Sequence, residues 1–332
     1  MTSRERFLMI LDGKKPDDRI PVLEIAPWWD RTIKRWETEG MPANLTFEQT
    51  AQYFGLDELY GAGCYPAVPP ARGHGAGIIN GGEDYERVRK DMYSDSIIEN
   101  WLDTVRNLKP RHDSGELVIC AVFQGFFWHP RALFGIEPHL YAFYDDPGLI
   151  HTINRDLLEF NMRALQSLFE TDMPDYVIYS EDMSYNHGSM VSKECFDDFI
   201  LPYYLGLNQF THQNGLKVFM DSDGDITEMI PWILNAGMDG IYPLERQAGI
   251  DIIKIRDEYP QFLMMGGYDK MAMNQGEEAI RAEFERILPV MHSGRYIPSV
   301  DHQTPPGVSL EDYKLYLKIL KEYCKKAVNE LN

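Results

Sequence analysis

Acidic residues and one histidine recur at a single kind of position in this sequence, directly after short runs of β-forming residues. Carboxylates that follow several parallel strands converge at one edge of a sheet, where their like charges raise one another's pKa values unless a proton or a cation is shared. A divalent metal ion is a natural solution to that repulsion. The residues concerned are Glu181, Asp182, Asp221, Asp223, Asp225, Glu245, Asp269, Asp301 and His302.

Each of these residues also has an ordinary structural interpretation. The run 221–225 (DSDGD) is typical of a turn followed by a helix cap, because Asp and Gly supply both features. Glu181 and Asp182 could belong to a solvated loop, and His302, beside prolines, could simply hydrogen-bond to backbone. Their joint placement favours a functional site over these structural interpretations, because independent surface acids need not all follow strands directly.

The order of elements predicts the scaffold that positions these residues. From about residue 115 onward, β-rich runs alternate with amphipathic helical patterns, which is typical of parallel strands joined by crossover helices. Two more strands upstream give eight, so we predict an α/β fold, a single (β/α)8 TIM barrel over residues 1–332 with an N-terminal helical extension. Reacting groups in such barrels follow the strands. The expected strands are 19–25, 60–65, 117–123, 176–180, 217–220, 240–243, 262–265 and 296–300.

Composition and charge limit the classes of partner. The formal charge of -20 repels phosphate backbones and anionic lipid, so nucleic acid and membrane surfaces are poor partners. The four cysteines form no CxxC pair, and no apolar run approaches membrane-spanning length. With no leader-like pattern at the start, we expect reduced thiols and a cytoplasmic protein. The basic run 314–326 is expected to be a solvated helix face.

Four segments together resemble the uroporphyrinogen decarboxylase superfamily, a (β/α)8-barrel family that also contains cobalamin-dependent methyltransferases. The resemblance spans nearly the whole chain and is strongest from about residue 176 onward. The segments are 4–7 (RERF), 221–224 (DSDG), 266–270 (GGYDK) and 301–306 (DHQTPP).

The resemblance is closer to the methyltransferase branch than to the true decarboxylases. Decarboxylases carry an arginine-rich segment that grips a tetrapyrrole's carboxylates, and here residues 21–30 (PVLEIAPWWD) lack it. The branch that resembles methylcobalamin:coenzyme M methyltransferase binds zinc through His-x-Cys and a distant Cys. Those positions fall on Asp221, Asp223 and His302, which implies three ligands for zinc or another divalent metal. Oxygen ligands in place of sulfur suit a metal that grips an oxygen, so we expect an oxygen-bound methyl donor.

The resemblance implies transfer of a methyl group from a methoxy donor, such as an aromatic ether, to cob(I)alamin on a separate corrinoid protein. In this O-demethylase mechanism the metal polarises the ether oxygen. Glu181, Asp182 or Glu245 would add a ligand or supply the proton to the leaving oxygen. Because the sequence has no Asp-x-His-x-x-Gly corrinoid motif, the cobalamin is expected to arrive on a partner docked over the barrel mouth.

Aromatic residues near the strand ends form a second group of candidates. Core packing explains about half of them, and the others are expected to line an apolar pocket for a flat substrate or cofactor. The predicted substrate contacts, with their polar neighbours, are Trp28, Trp29, Gln124, Phe126, Tyr185, Tyr268 and Asp269.

Two other functions remain open at this stage. A lyase or decarboxylase acting on a smaller substrate would need no metal and would use Asp223 or His302 as a general acid. A non-catalytic tetrapyrrole or corrinoid binder would make the acids at the strand ends dispensable.

Overall fold

A parallel β-sheet forms the centre of the fold. The computed structural model describes residues 1–26, 28–71, 73, 75–171 and 174–329. Within them seven strands pair in parallel, in the order β1-β2-β3-β6-β7-β8-β9, and β4 and β5 form a separate antiparallel hairpin. The strands are β1 (Glu58–Cys64), β2 (Leu117–Gln124), β3 (Tyr176–Ser180), β4 (Ser184–Tyr185), β5 (Gly188–Ser189), β6 (Lys217–Asp221), β7 (Gly240–Tyr242), β8 (Leu263–Tyr268) and β9 (Tyr296–Val300).

The strand predictions from residue 117 onward are confirmed. β3 and β9 have the predicted bounds, and the other strands of the parallel sheet differ from prediction by a few residues at most. Nearly every residue of β2 is buried, as expected for a parallel strand covered on both faces. The sheet curls, so that the carboxyl ends of its strands surround a common space.

The predicted first strand, 19–25, is wrong as a strand. This segment has no regular secondary structure and lies between the two edges of the sheet, where the Asp57 amide donates to the Val22 carbonyl (2.7 Å) and the Ile25 amide donates to Ser299 Oγ (3.3 Å). Pro21 has no N–H to donate, and the Val22 amide donates to the Asp57 carboxylate instead of to a neighbouring strand. This backbone hydrogen bond and these two side-chain hydrogen bonds therefore stand in place of a ladder at this seam.

Helices cover the outside of the sheet and connect its strands. They are α1 (Ser3–Leu11), α2 (Asp30–Thr38), α3 (Phe47–Phe54), α4 (Gly82–Met92), α5 (Asp95–Asp113), α6 (Trp128–Phe134), α7 (Ile136–Asp145), α8 (Pro147–Thr171), α9 (Lys193–Phe199), α10 (Leu201–Gln213), α11 (Ile230–Asn235), α12 (Ile252–Glu258), α13 (Glu277–Ser293) and α14 (Leu310–Asn329). Short 3-10 turns occupy Thr227–Met229, Arg246–Ala248 and Lys270–Gln275.

Helix boundaries follow local capping chemistry. The Leu149 amide donates to Asp146 Oδ1 (3.2 Å), and this side chain caps the start of α8. The Asp312 amide donates to Ser309 Oγ (3.1 Å), which caps the start of the last helix. The helices α9 and α10 follow one another directly, because Pro202 falls at the start of α10, where its missing N–H is tolerated.

The N-terminal helix α1 lies at the amino ends of the strands. Its Phe7 ring packs on Tyr176, the first residue of β3, with ring centroids 5.1 Å apart. Arg4 Nε donates to the Asp175 carboxylate (2.7 Å), just before the same strand. The opposite, carboxyl end of the sheet is therefore the end that is open for a functional site.

Candidate active site at the carboxyl ends of the strands

Three aspartates from two neighbouring strands form the first part of the acidic cluster. Asp182 follows β3, Asp221 ends β6, and Asp223 lies two residues further on. One carboxylate oxygen from each lies within 4.8 Å of the other two. This spacing allows the three side chains to share one cation.

Asp223 also belongs to a second group, with Glu245 and His302, whose ligand atoms again lie within 4.8 Å of one another. His302 Nε2 is 3.4 Å from Asp223 Oδ2, and His302 Nδ1 is 3.8 Å from Glu245 Oε1. The predicted ligand set is thus divided, because Asp221 falls in the first group and His302 in the second. Asp223 joins the two.

The loop after β6 holds these carboxylates through its backbone. The Gly224 amide donates to Glu245 Oε2 (2.8 Å), and the Asp223 amide donates to Asp182 Oδ1 (3.2 Å). Gly224 has a φ of +84°, and a Cβ there would lie 2.6 Å from the Tyr185 backbone. Only glycine readily adopts this φ and also leaves room for the Tyr185 backbone. The glycine of the DSDG motif is therefore required on steric grounds, and its amide also holds a carboxylate.

Burial and mutual repulsion raise the pKa values of the aspartates. Burial raises the pKa of Asp221 well above its usual range, and the charges of Asp182 and Asp223 raise it further. Burial and Asp223 likewise raise the pKa of Asp182. The hydrogen bond with Asp223 raises the pKa of His302, and Glu245 adds to the effect. The arrangement favours a bound proton or cation over a set of separate negative charges.

The donor set fits a divalent metal with hard ligands. It offers carboxylate oxygens and one imidazole nitrogen, which suit zinc, manganese or a similar ion. The four cysteines are all buried, and within the described residues none belongs to either group. The cavity beside the cluster measures about 240 Å³ and is lined by Ile25, Ala26, Asp182, Asp221, Asp223, Tyr242, Pro243, His302 and Gln303.

Asp301, next to His302, braces the surrounding loops. Its carboxylate accepts from the Arg246 amide (2.9 Å) and from Lys270 Nζ (3.2 Å), and the side chain is fully buried. Lys270 is thereby held where its charge acts on His302. The Asp301 carboxylate is therefore engaged in hydrogen bonds with protein donors, whereas His302 borders the cavity.

Glu181, predicted as a catalytic residue, has a different role in the structure. Its carboxylate accepts from the amides of Phe126, Phe127 and Trp128, each at 2.9 Å, and from the Tyr204 hydroxyl. Burial raises the pKa of Glu181 to about 7, although these donors favour the charged form. It belongs to neither acidic group, and it caps the amino end of α6.

Three of the predicted substrate contacts lie in the hydrophobic core. These side chains fill the space between sheet and helices, as the packing alternative expects. Trp28 packs against Trp36, Phe47, Phe54 and Tyr313, Phe126 against Tyr203 and Tyr204, and Tyr268 against Phe284 and Tyr316.

The other four predicted contacts are more accessible. Trp29 and Tyr185 are exposed, and the Tyr185 backbone packs on Gly224 beside the cluster. Gln124 Oε1 lies 2.9 Å from His129 Nδ1, and Asp269 Oδ1 accepts from the Met271 amide (2.9 Å). Tyr185 is therefore the predicted contact whose backbone lies against the loop that carries Asp223.

Two tyrosines at the site were not predicted. Tyr242 lines the cavity, and its pKa is raised well above its usual range by burial and by Asp221. Burial, with Cys120 and Asp221, raises the pKa of Tyr65 to about 12. A signal existed for Tyr242, because it pairs in register with Asp221 across the β6-β7 ladder and so faces the same side of the sheet.

Comparison with known sequences identifies the family to which this α/β protein belongs. The chain belongs to the uroporphyrinogen decarboxylase (URO-D) family, which it matches over residues 76–323. No curated protein matches the sequence significantly. Among the described residues, no helix combines the length and the apolar character needed to cross a bilayer.

Comparison with solved structures extends the fold similarity over the whole chain. A methyltransferase from Methanosarcina mazei superposes with a TM-score of 0.66 at 13% identity, covering 97% of this chain and 99% of that one. A structure provisionally assigned as a vitamin-B12 independent methionine synthase from Listeria monocytogenes gives a TM-score of 0.44 at 12% identity, with 96% and 98% covered. The first similarity supports the fold; the second is too weak to support an argument.

Proposed function

We propose that this protein is a corrinoid-dependent methyltransferase, the O-demethylase component that moves a methyl group from a methoxy donor to cob(I)alamin on a partner protein. Family membership supports a place in this superfamily, and the methyltransferase from Methanosarcina mazei shares the fold. The observation on which the proposal rests most is the acidic cluster, in which Asp223 links two groups of metal-competent side chains.

Asp221, Asp223 and His302 are the proposed metal ligands, with Asp182 and Glu245 next to them. When bound, zinc or another divalent ion would supply Lewis-acid polarisation of the donor's ether oxygen. The donor set supports this choice because its oxygens match an oxygen-bound methyl group better than a thiol. An ion would also relieve the repulsion that raises the pKa values of Asp182 and Asp221.

Acidic residues of the protein supply the proton that the reaction consumes. Cleavage of the methyl C–O bond would leave its electron pair on the oxygen, which must then take up a proton; cob(I)alamin on the partner would supply the nucleophile that accepts the methyl group. Asp182, which lines the cavity beside the proposed ligands, is the proposed proton donor, with Glu245 as the alternative. Glu181 is unsuited to this role because its carboxylate is engaged by four protein donors.

The cavity walls orient the donor and limit water. Ile25, Ala26 and Pro243 supply apolar surface, and the Tyr242 hydroxyl lies on the side of Asp221. Tyr185 is exposed at the rim and would contact the outer part of the donor. The corrinoid partner is proposed to dock over the open side of this cavity. A single closed (β/α)8 domain, in which segment 20–25 takes the place of an eighth strand, and a cytoplasmic location are part of the same proposal.

The decisive experiment mixes the purified protein with cob(I)alamin and a panel of methoxylated aromatics, methylamines and methyl thioethers. Absorption spectroscopy then follows the formation of methylcobalamin. We expect turnover with methoxylated compounds, lost in Asp223→Asn and retained in the neighbouring control Asp225→Asn. Turnover of methyl thioethers alone would contradict the argument from ligand type, and absence of turnover with every donor would contradict methyl transfer.

A carboxy-lyase acting on a smaller substrate is the second candidate. The pairing of His302 with Asp223 favours a lyase, because this pairing raises the pKa of His302 and so suits the imidazole to proton donation. Metal analysis of protein purified without chelator separates the two functions. Carbon dioxide release by metal-free protein would favour the lyase, and a stoichiometric metal that is lost in His302→Ala would favour methyl transfer.

A further inference from the structure

A stripe of four lysines lies on the last helix of a strongly acidic protein. Lys314, Lys318, Lys321 and Lys325 are spaced at intervals that place them on one face of α14. They line a groove of about 460 Å³, together with Tyr53, Phe54, Leu317 and Glu322. The groove is thus a local reversal of sign in a chain whose formal charge is -20.

Two of the lysines reach across the groove to α3. Lys314 Nζ donates to the Tyr53 hydroxyl (3.0 Å) and lies 5.2 Å from the centre of its ring. Lys321 Nζ donates to the Phe54 carbonyl (3.1 Å) at the carboxyl end of α3. Both partners are uncharged, so these contacts fix the two ammonium groups without neutralising them.

The positive charge of the groove has little compensation within the protein. Lys318 and Lys325 are exposed, and the described residues provide neither with a hydrogen bond or an ion pair. Glu322, the acid in the lining, is paired with Arg281 (2.9 Å), which lowers its effect on the lysines. Burial lowers the pKa of Lys321 and the charge of Arg19 lowers it further, against an opposing effect of Asp57.

We propose that this groove binds a small anion with two or more phosphate groups, of the nucleoside diphosphate or triphosphate class. Its volume falls in the range of small-molecule sites, about 300 to 1,000 Å³. Several adjacent phosphates match several adjacent ammonium groups, and the exposed Tyr53 edge offers an apolar surface beside them. The site shares no residue with the acidic cluster and does not depend on the proposed methyl transfer.

Charge also decides between a small anion and a long one. Electrostatic attraction is screened beyond about 8 Å at physiological ionic strength, so a compact anion senses mainly the lysines. A nucleic acid strand, an acidic protein or an anionic membrane would extend past the groove to a surface dominated by carboxylates. The groove therefore favours a compact anion that does not extend beyond the four lysines.

The test is isothermal titration calorimetry of the full chain with inorganic triphosphate and with ATP. We expect one ligand per chain, weakened by added salt. Lys318→Gln combined with Lys325→Gln should lower the affinity about tenfold, as expected for losing charge-assisted contacts. The control pairs Lys90→Gln with Lys254→Gln, two exposed lysines elsewhere that give the same change in net charge.

Circular dichroism and melting temperature should show both double variants folded, since the described part of the chain gives none of these four exposed lysines a hydrogen bond or an ion pair. Absence of saturable binding, or equal losses in the two double variants, would overturn the proposal. Tighter binding of a long single-stranded oligonucleotide than of triphosphate would overturn the assignment to a small ligand. Unchanged binding after loss of the acidic cluster in Asp223→Asn would support the independence of the groove.

Discussion

His302 and Asp223 meet at 3.4 Å although they follow different strands, β9 and β6. Asp223 also lies with Asp182 and Asp221, so its carboxylate is common to both halves of the cluster. Loss of this one side chain therefore affects every proposed metal ligand at once.

The first prediction concerns metal affinity. Asp223→Asn should weaken binding of zinc or manganese at least tenfold, roughly the effect of disturbing a metal's ligand surroundings. Asp225→Asn is the matched control, because Asp225 accepts from the Thr227 amide (3.0 Å) and belongs to neither group. Calorimetric titration of chelator-treated protein measures both variants. Equal affinities in the two would show that the cluster is not the metal site.

The second prediction concerns pH and Glu24, a buried acid at the seam. Its carboxylate accepts from Ser299 Oγ (2.6 Å), the Val300 amide (3.2 Å) and the Tyr313 hydroxyl (3.2 Å), yet burial raises its pKa from 4.5 to about 7. The folded state therefore holds a proton that the unfolded chain releases between these values. Stability should fall as pH rises through this window, by about 3 kcal/mol in total, and stay constant above it.

Glu24→Gln should remove that part of the pH dependence, and urea unfolding at pH 5 and pH 8 measures it. Glu181, whose pKa is also raised to about 7, makes its own contribution to the pH dependence of stability. The free energy of unfolding of Glu24→Gln should therefore vary less with pH than that of the wild type, but not become constant. The exposed Glu278→Gln serves as the control. A pH dependence that is the same in wild type and Glu24→Gln would contradict the prediction.

The third prediction tests the structural role of Glu181. A Cβ on Gly125 would overlap the Glu181 carboxylate, so Gly125→Ala should destabilise the protein by about 1 to 3 kcal/mol. Gly206→Ala, in an exposed part of α10 with no atom near the added methyl group, should stabilise by up to about 1 kcal/mol. Thermal unfolding of the two variants gives the comparison, and a tolerated alanine at 125 would argue against this packing.

The fourth prediction concerns Tyr242, the unpredicted residue of the cavity. Because Tyr242 lines the cavity in register with Asp221, Tyr242→Phe should lower kcat roughly tenfold while leaving the melting temperature nearly unchanged. Tyr259→Phe removes a hydroxyl that donates to Glu258 at the end of α12 and should leave turnover intact. Steady-state rates with the preferred methyl donor distinguish the two, and a wild-type kcat in Tyr242→Phe would exclude a role in turnover.

Much of the sheet was predictable because buried strands leave a direct signal in the sequence. β3 and β9 are short apolar runs bounded by polar residues, and their bounds were predicted correctly. Segment 19–25 is also rich in apolar residues but forms no strand ladder, because Pro21 and the Asp57 carboxylate redirect its hydrogen bonds. That outcome depends on a contact between distant parts of the chain.

The site was predictable in outline for a similar reason. Strand ends indicated where the acids lie, but not which of two adjacent acids faces the cavity. Asp182 borders the cavity, whereas Glu181 turns to the amino end of α6. Aromatic type was a still weaker guide, since Trp28 and Tyr268 fill the core, and Tyr242 was overlooked.

The seam between β1 and β9 has a consequence for access to the cavity. Ile25 and Ala26, which form one wall, belong to a segment held by side-chain hydrogen bonds rather than by a strand ladder. Moving that wall breaks fewer backbone hydrogen bonds than moving any wall formed by paired strands. A substrate bulkier than the present cavity would gain room at the lowest free-energy cost on this side, which makes residues 20–26 the place to broaden substrate range by mutation.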